Sequence, residues 1–438
     1  VAGFEDAESF SGLSDQFAQG IDLNGAIESF DLGRSGIIPD RFLARAWRNA
    51  TFRHIFNDFI AKPPIQRISL ASDQILQTPF FPVISLAKLF FSQSNLSFMQ
   101  AGRRYSLFQT ISWGSRYIFI FLVYDAIVVA LYHVLGLEWL SLPWQPISLI
   151  GIAVAFYLGF KNNSSYERLW EARKIWGGIV NASRSFTVMA RDYINNEKTE
   201  SDLPESELKQ ISKRLVHRHV AWLHALSIQL RKVKDWEHNS KRDHGFREAL
   251  GTDFSEEKFA KLKPYLSDED YAYMMSKGNK ASHLLSMQSK DMMALRMAGP
   301  LEHFRHLEMQ GLITEFYTLQ GKSERIKNFP FPRQYATVNY FFTVLFVGLL
   351  PFGMLNVFTG SELPWLIWLS IPFSVIGSWV FWTMEMIGDY SENPFEGLYN
   401  DVPINTMARG IEIDIRQMLD ETDLPEPLKP EGEFKMLL

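Results

Sequence analysis

The chain has 438 residues and no cysteine. A disulfide framework, a thiolate zinc site and a cysteine nucleophile are therefore excluded. Lys and Arg number 44 against 49 Asp and Glu, a formal net charge of −5 with no basic tail, so no nucleic-acid partner is expected. The sequence also holds no Walker loop, no GxGxxG, no GxSxG and no HExxH. The glycine turns that cradle phosphate, the elbow that lifts a nucleophilic serine and the paired histidines of a zinc protease are thus all missing. Neither an enzyme nor a bound cofactor is expected. Strand-length alternation is absent from residues 161–337, which leaves helical periodicity as the organising signal there.

Apolar and aromatic residues are plentiful, with 35 Phe and 12 Trp. Four segments are long enough to cross a hydrocarbon layer, which takes about 20 residues: 117–137, 144–160, 338–358 and 363–387. Pro351 and Pro372 fall in the last two and are expected to bend them. Trp144, Trp365, Trp368 and Trp382 suit the membrane–water interface. The connections 138–143 and 359–362 carry no Lys or Arg, whereas Arg103, Arg104, Arg116, Lys161, Arg325, Lys327 and Arg333 flank the opposite ends. The positive-inside rule then puts both termini and residues 161–337 on the cytoplasmic side, or on its equivalent in an organelle.

The implied layout is an arm of unassigned role at 1–100, a first pair of spans within 101–160, a cytosolic helical domain at 161–337, a second pair at 338–387, and a C-terminal strap and tail at 388–438. Within the arm, residues 40–62 repeat apolar residues at near-helical spacing before Pro63 and Pro64. In the cytosolic domain, helical patterns run over 164–195, 206–234, 256–262, 267–276 and 282–326. Residues 144–186 pass from an apolar run into a charged one with no turn signal, so one helix is expected to leave the membrane and continue in water. Arg168 with Glu171, and Glu171 with Lys174, are spaced to pair along its surface.

Few polar residues suggest chemistry. Asp125 interrupts the first span, together with His133. An acid at mid-helix costs about 2.5–3.5 kcal/mol on insertion scales, so Asp125 is expected to face protein as a hydrogen-bond anchor between helices. Glu302, His303, His306 and Glu308 form the nearest thing to a metal cluster, because His303 and His306 share a helix face. A polar helix face is the plainer reading, and no metal is expected. Asp389, Glu392, Asp401, Glu412 and Asp414 read as capping and ion-pairing acids.

Three stretches together resemble the bestrophin family in its bacterial branch: GFKNNSSYERLWEARKIWGGIVNASR, LQGKSERIKNFPFPRQYA and GDYSENPFEGLYNDVPINTMARGIEIDIRQML. The resemblance extends over roughly residues 105–428. It implies an all-α integral membrane protein with four transmembrane helices per protomer and a large cytosolic helical domain, assembled with membrane lipid as a homopentamer around an axial pore. The implied function is passive conduction of ions, with chloride favoured and a monovalent cation or a secondary transporter as alternatives. Matched through AFYLGFKNNSSYERLW, the neck positions fall on Phe156, Ile152 and Ser148, which lie four apart on one helix stripe. Bulky apolar residues fill the family's neck. Phe156 and Ile152 fit, Ser148 departs, and a small rotation would bring Leu149 in its place. The cytosolic aperture matches Leu307, with Gln310 one turn further. Animal members bind calcium through a run of acids after NPF. Here Glu396, Gly397, Leu398, Tyr399 and Asn400 follow Asn393-Pro394-Phe395, and one acid does not supply the 6–8 oxygens calcium takes, so no calcium clasp is expected. The arm is expected to fold beneath the cytosolic mouth and regulate opening. A bacterial plasma membrane is favoured, with a thylakoid or other organelle membrane as the alternative.

Overall fold

The computed structural model describes residues 107–197, 202–359, 363–398 and 400–429. The expectations for the arm, including the helix at 40–62, lie outside them. Ten α-helices are described: α1 Leu107–Leu135, α2 Trp144–Asp192, α3 Glu205–Leu230, α4 Lys241–Ala249, α5 Asp268–Met275, α6 Lys280–Ala298, α7 His303–Asn328, α8 Arg333–Thr359, α9 Ser370–Asp389 and α10 Ile404–Gln417. Turns of 3₁₀ helix stand at Glu138–Leu140, Glu256–Tyr265 and Pro364–Leu369. Among the described residues, the β-structure is one isolated bridge, Ile194 with Leu301.

Four helices carry stretches long and apolar enough to cross a membrane: α1, α2, α8 and α9. They pack on one another, yet many of their large apolar side chains stay open in the protomer, as at Ile127, Phe341 and Ile376. In water such a surface would be costly. In lipid, or against further copies of the chain, it is the expected one. α2 is the spine, with 49 unbroken residues, roughly 70 Å at the helical rise. Its first half joins the apolar spans and its second half enters a separate helical bundle. At the crossing with α8, a Cβ on Gly151 would stand 2.6 Å from the Phe346 ring, so the glycine permits the close approach.

The core of that bundle gathers α2, α3, α6, α7 and α10 around one hydrophobic cluster. At its centre the rings of Phe186, His219, Trp222 and Phe316 lie 4.5–5.9 Å apart. Each such burial contributes roughly 1.5–3 kcal/mol relative to exposure. The polar atoms carried in with them are matched. Trp222 Nε1 donates to Gln320 Oε1 at 2.9 Å, and His219 Nε2 lies 2.9 Å from Ser183 Oγ. Burial pushes the His219 imidazole down to about 3, so it stays neutral. α10 docks through Glu412, to which His224 at 2.8 Å and the Tyr265 hydroxyl are both bonded. Burial alone would raise that carboxyl, but these bonds and the Arg409 charge hold it near 2.

Several expectations are corrected. The pattern 282–326 is two helices, because Gly299 takes φ +112° and Pro300 follows it, and neither continues a helix. The segment 363–387 opens as a 3₁₀ turn, so Pro372 falls in the first turn of α9, where its missing N–H costs nothing, and not at a mid-span bend. Trp382 is half-buried, with its ring 5.2–6.0 Å from those of Tyr117, Phe121 and Tyr340. Asp125 is buried, as an acid in a span should be, but neither carboxylate oxygen has a hydrogen-bond partner among the described residues. The turns on either side of it, Phe121 and Val128, pack on apolar Ile371 of α9, and the neighbouring Tyr124 hydroxyl is used by the Gly348 carbonyl. Glu171 pairs with Arg325 of α7 at 2.6 Å, and Arg168 donates to the Ile326 and Phe329 carbonyls, so this charged face braces α2 against α7.

Candidate functional site

On α2, Ile152 and Phe156 present 57% and 65% of their surface in the isolated protomer. Ser148 is half-buried and its Oγ donates to the Gln145 carbonyl 2.8 Å away, which turns the hydroxyl back onto its own helix. Leu149 is 69% exposed and Phe160 61%, so the open apolar stripe on α2 runs Leu149, Ile152, Phe156, Phe160. These residues are three or four apart and share one face. The other face, with Ile147, Val154 and Leu158, packs on Phe346 and Leu350 of α8. One side of the helix is thus fixed and the other is left for solvent, lipid or another copy.

Below the stripe, buried Lys161 forms an ion pair with Glu385 of α9, and Asn339 Nδ2 of α8 donates to the same carboxylate at 3.0 Å. Three of the four spans are tied at one polar point. Removing one partner of such a pair leaves an uncompensated buried charge and costs about 3–5 kcal/mol.

The strap that follows α9 is shaped by one acid. Asp401 accepts hydrogen bonds from the backbone N–H groups of Phe395, Gly397 and Val402 and from Arg231. These bonds hold Phe395 at φ +79° and Gly397 at φ +82°, and for Phe395 that conformation costs roughly 1–3 kcal/mol. The other strap acids face cations of the chain itself. His238 Nε2 lies 2.9 Å from Asp389, its Nδ1 lies 3.1 Å from Glu396, and its ring stacks on Tyr390 at 4.5 Å. Arg247 donates to both the side chain and the carbonyl of Glu396. Burial alone would lower the His238 imidazole, but the hydrogen bonds to Asp389 and Glu396 push it up to about 10, so it is a histidinium at neutral pH. Glu392 is bonded by Arg333. Buried Lys327 pairs with Glu237 and lies 3.5 Å from the Phe395 carbonyl. Among the described strap residues, Glu392 Oε2 and Asn393 Oδ1 are left without a hydrogen-bond partner, fewer oxygens than the 6–8 that calcium takes.

Leu307 of α7 is 52% exposed, while the Gln310 carboxamide accepts from Ser289 Oγ at 2.9 Å, which turns it toward α6. The four residues of the metal-like pattern do not converge. Glu302 caps α7 through the N–H groups of Phe304 and Arg305, Glu308 accepts from the Tyr193 hydroxyl at 2.8 Å, His303 is exposed and His306 is buried. No group of three metal-ligating side chains occurs among the described residues.

The four spans, the spine helix and the strap are those of a bestrophin-type membrane protein. The model of the bacterial and fungal bestrophin family matches residues 107–417, and the chain belongs to that family. The voltage-dependent anion channel-forming protein YneE of Escherichia coli K12 is 27% identical over 292 residues, covering 66% of this chain and 82% of that protein. A voltage-dependent anion channel-forming protein of Ralstonia nicotianae is 28% identical, covering 70% and 87%. The crystal structure of a bacterial bestrophin homologue from Klebsiella pneumoniae superposes with a TM-score of 0.56 at 25% identity, covering 69% of this chain and 97% of that one. The chain is accordingly an integral membrane protein.

Proposed function

We propose that this chain forms a homopentamer around one axial pore and conducts ions passively, with chloride as the favoured ion. The observation that carries the reading is the uncovered apolar stripe on α2, opposite a face already packed on α8. Five copies of Leu149, Ile152 and Phe156 facing a common axis would make a neck that gates by dewetting. Leu149 supplies the outer turn that Ser148 vacates. Phenyl edges are weakly positive, so a ring of Phe156 tolerates a partly dehydrated anion. Leu307, with Gln310 one turn on, forms the cytosolic aperture. The relatives named as anion channel-forming proteins support the same choice of ion. The host membrane is a bacterial plasma membrane, and the part of each protomer in 161–337 lies on its cytoplasmic side.

The absence of cysteine makes the test clean. Phe156→Cys or Leu307→Cys introduces a unique thiol. In planar bilayers, a charged methanethiosulfonate reagent is expected to change the current through either variant and to leave the parent unaffected. Reactive thiols with unaltered current would remove these residues from the conduction path. Native mass spectrometry of the detergent-solubilised protein is expected to count five copies.

A further inference from the structure

Residues 231–240 join α3 to α4, and their second half braces the strap through Glu237 and His238. Their first half carries Lys232 and Lys234, which face a cavity of about 260 Å³. The cavity is bounded by the end of α3, the 3₁₀ segment Glu256–Tyr265, the start of α6 and the last turn of α7. Lys280 and Lys327 also line it, opposite Glu256 and Glu324. The acids do not balance the bases. Lys327 is matched by Glu237 at the strap. Glu324 is occupied by the amides of Asn279 and Gln320. Glu256, 61% exposed, stands 3.3 Å from Lys280, whose own side chain is 9% exposed and whose ammonium lies 4.8 Å from the Phe259 ring centre. Lys232 has only the face of Phe254, at 5.8 Å, and the Lys234 ammonium has no carboxylate partner among the described residues. The 19-residue helix α6 begins at Lys280, with the Ala281 and Ser282 N–H groups donated to Gln229 and Asn279. The result is a concave, aromatic-walled and cationic cavity away from the apolar stripe.

We propose that this cavity binds a small phosphate monoester through Lys232, Lys234 and Lys280. The cations are ammonium groups, point charges suited to the several oxygens of a phosphate, with no guanidinium fork to select a carboxylate. The volume lies below the roughly 300–1,000 Å³ of sites for drug-sized ligands, which fits a glycerol phosphate and is too small for a nucleoside triphosphate. The site is coupled to the strap by covalent continuity. The Lys234 N–H donates to Glu237, Glu237 holds Lys327, and the next residue is His238. A ligand that draws Lys232 and Lys234 together orders the segment on which the strap rests.

The phosphate comes either from a soluble metabolite or from a lipid headgroup. The full chain in detergent is titrated with glycerol 3-phosphate, and in a parallel arm with phosphatidylcholine vesicles with and without phosphatidic acid. Because the Lys232 side chain is exposed and Lys234 is half-buried at the cavity wall, Lys232→Gln/Lys234→Gln is expected to fold and to show the parent's baseline hydrogen exchange. Expected are saturable glycerol 3-phosphate binding, slower exchange of strap amides 395–402 on binding, and affinity about tenfold weaker in the double variant. Saturation by phosphatidic acid vesicles alone, again weakened in the variant, assigns the same site to a lipid headgroup. Equal affinity in parent and variant, or no saturable binding of either probe, overturns the proposal. These readouts do not depend on whether the assembly conducts.

Discussion

Replacing His238 with Gln removes a titrating cation and keeps a polar side chain of similar reach. In the protein the imidazole is raised from 6.5 to about 10 by Asp389 and Glu396, against the effect of burial. By proton linkage such a rise is equivalent to at most about 5 kcal/mol. The two charge-assisted hydrogen bonds, at roughly 1.5–3 kcal/mol each, give a similar figure. Arg247 remains on Glu396 in the variant, so the expected loss is about 3–5 kcal/mol of strap stability. Because the folded value lies above the unfolded one, the stabilisation is fully present below pH 6.5 and is lost as pH rises through 10. The assay is hydrogen exchange of the Phe395, Gly397 and Val402 amides, corrected for intrinsic rate at each pH. The gap in opening free energy between parent and H238Q is expected to be largest near pH 6 and to shrink by about 1.4 kcal/mol per pH unit above 6.5. A gap that stays constant with pH would refute the histidinium clamp.

Two predictions concern the membrane helices. Lys161→Ala strands Glu385 and is expected to destabilise the solubilised protein by about 3–5 kcal/mol, whereas K161M combined with E385L recovers most of this, as read by thermal denaturation in detergent. Gly151→Val drives a Cβ into the Phe346 ring and is expected to cost about 1–3 kcal/mol, with partial rescue by Phe346→Leu in the same melts.

The spans were legible because lipid imposes a length and a composition on each of them: α1, α2, α8 and α9 cover the four expected apolar segments. The unbroken spine was legible too, since no turn signal separates Phe160 from Lys161. The open apolar stripe on α2 follows from spacing, although whether Ser148 or Leu149 stands open depended on the helix phase that packing on α8 sets. Helix α4 was not seen because it is nine mostly polar residues held by a Ser240–Asp243 capping box. The Gly299-Pro300 stop was present in the sequence and was overridden by the helical pattern on both sides. The brace on the strap was out of reach. His238 meets Asp389 across 151 positions, and Lys327 meets Glu237 across 90, so no local period marks either pair. Asp125 was correctly placed facing protein, but the lack of a hydrogen-bond partner for its carboxylate depends on how α1 packs on its neighbours, which no local pattern records.

Conduction and its sign are tested most directly by a reversal potential. The purified chain is reconstituted in a planar bilayer under a KCl gradient and the zero-current voltage is read. A passive anion channel predicts a reversal near the chloride equilibrium potential. A reversal near the potassium potential would contradict the anion assignment and place a cation channel on the same fold, and the absence of current would contradict the channel itself.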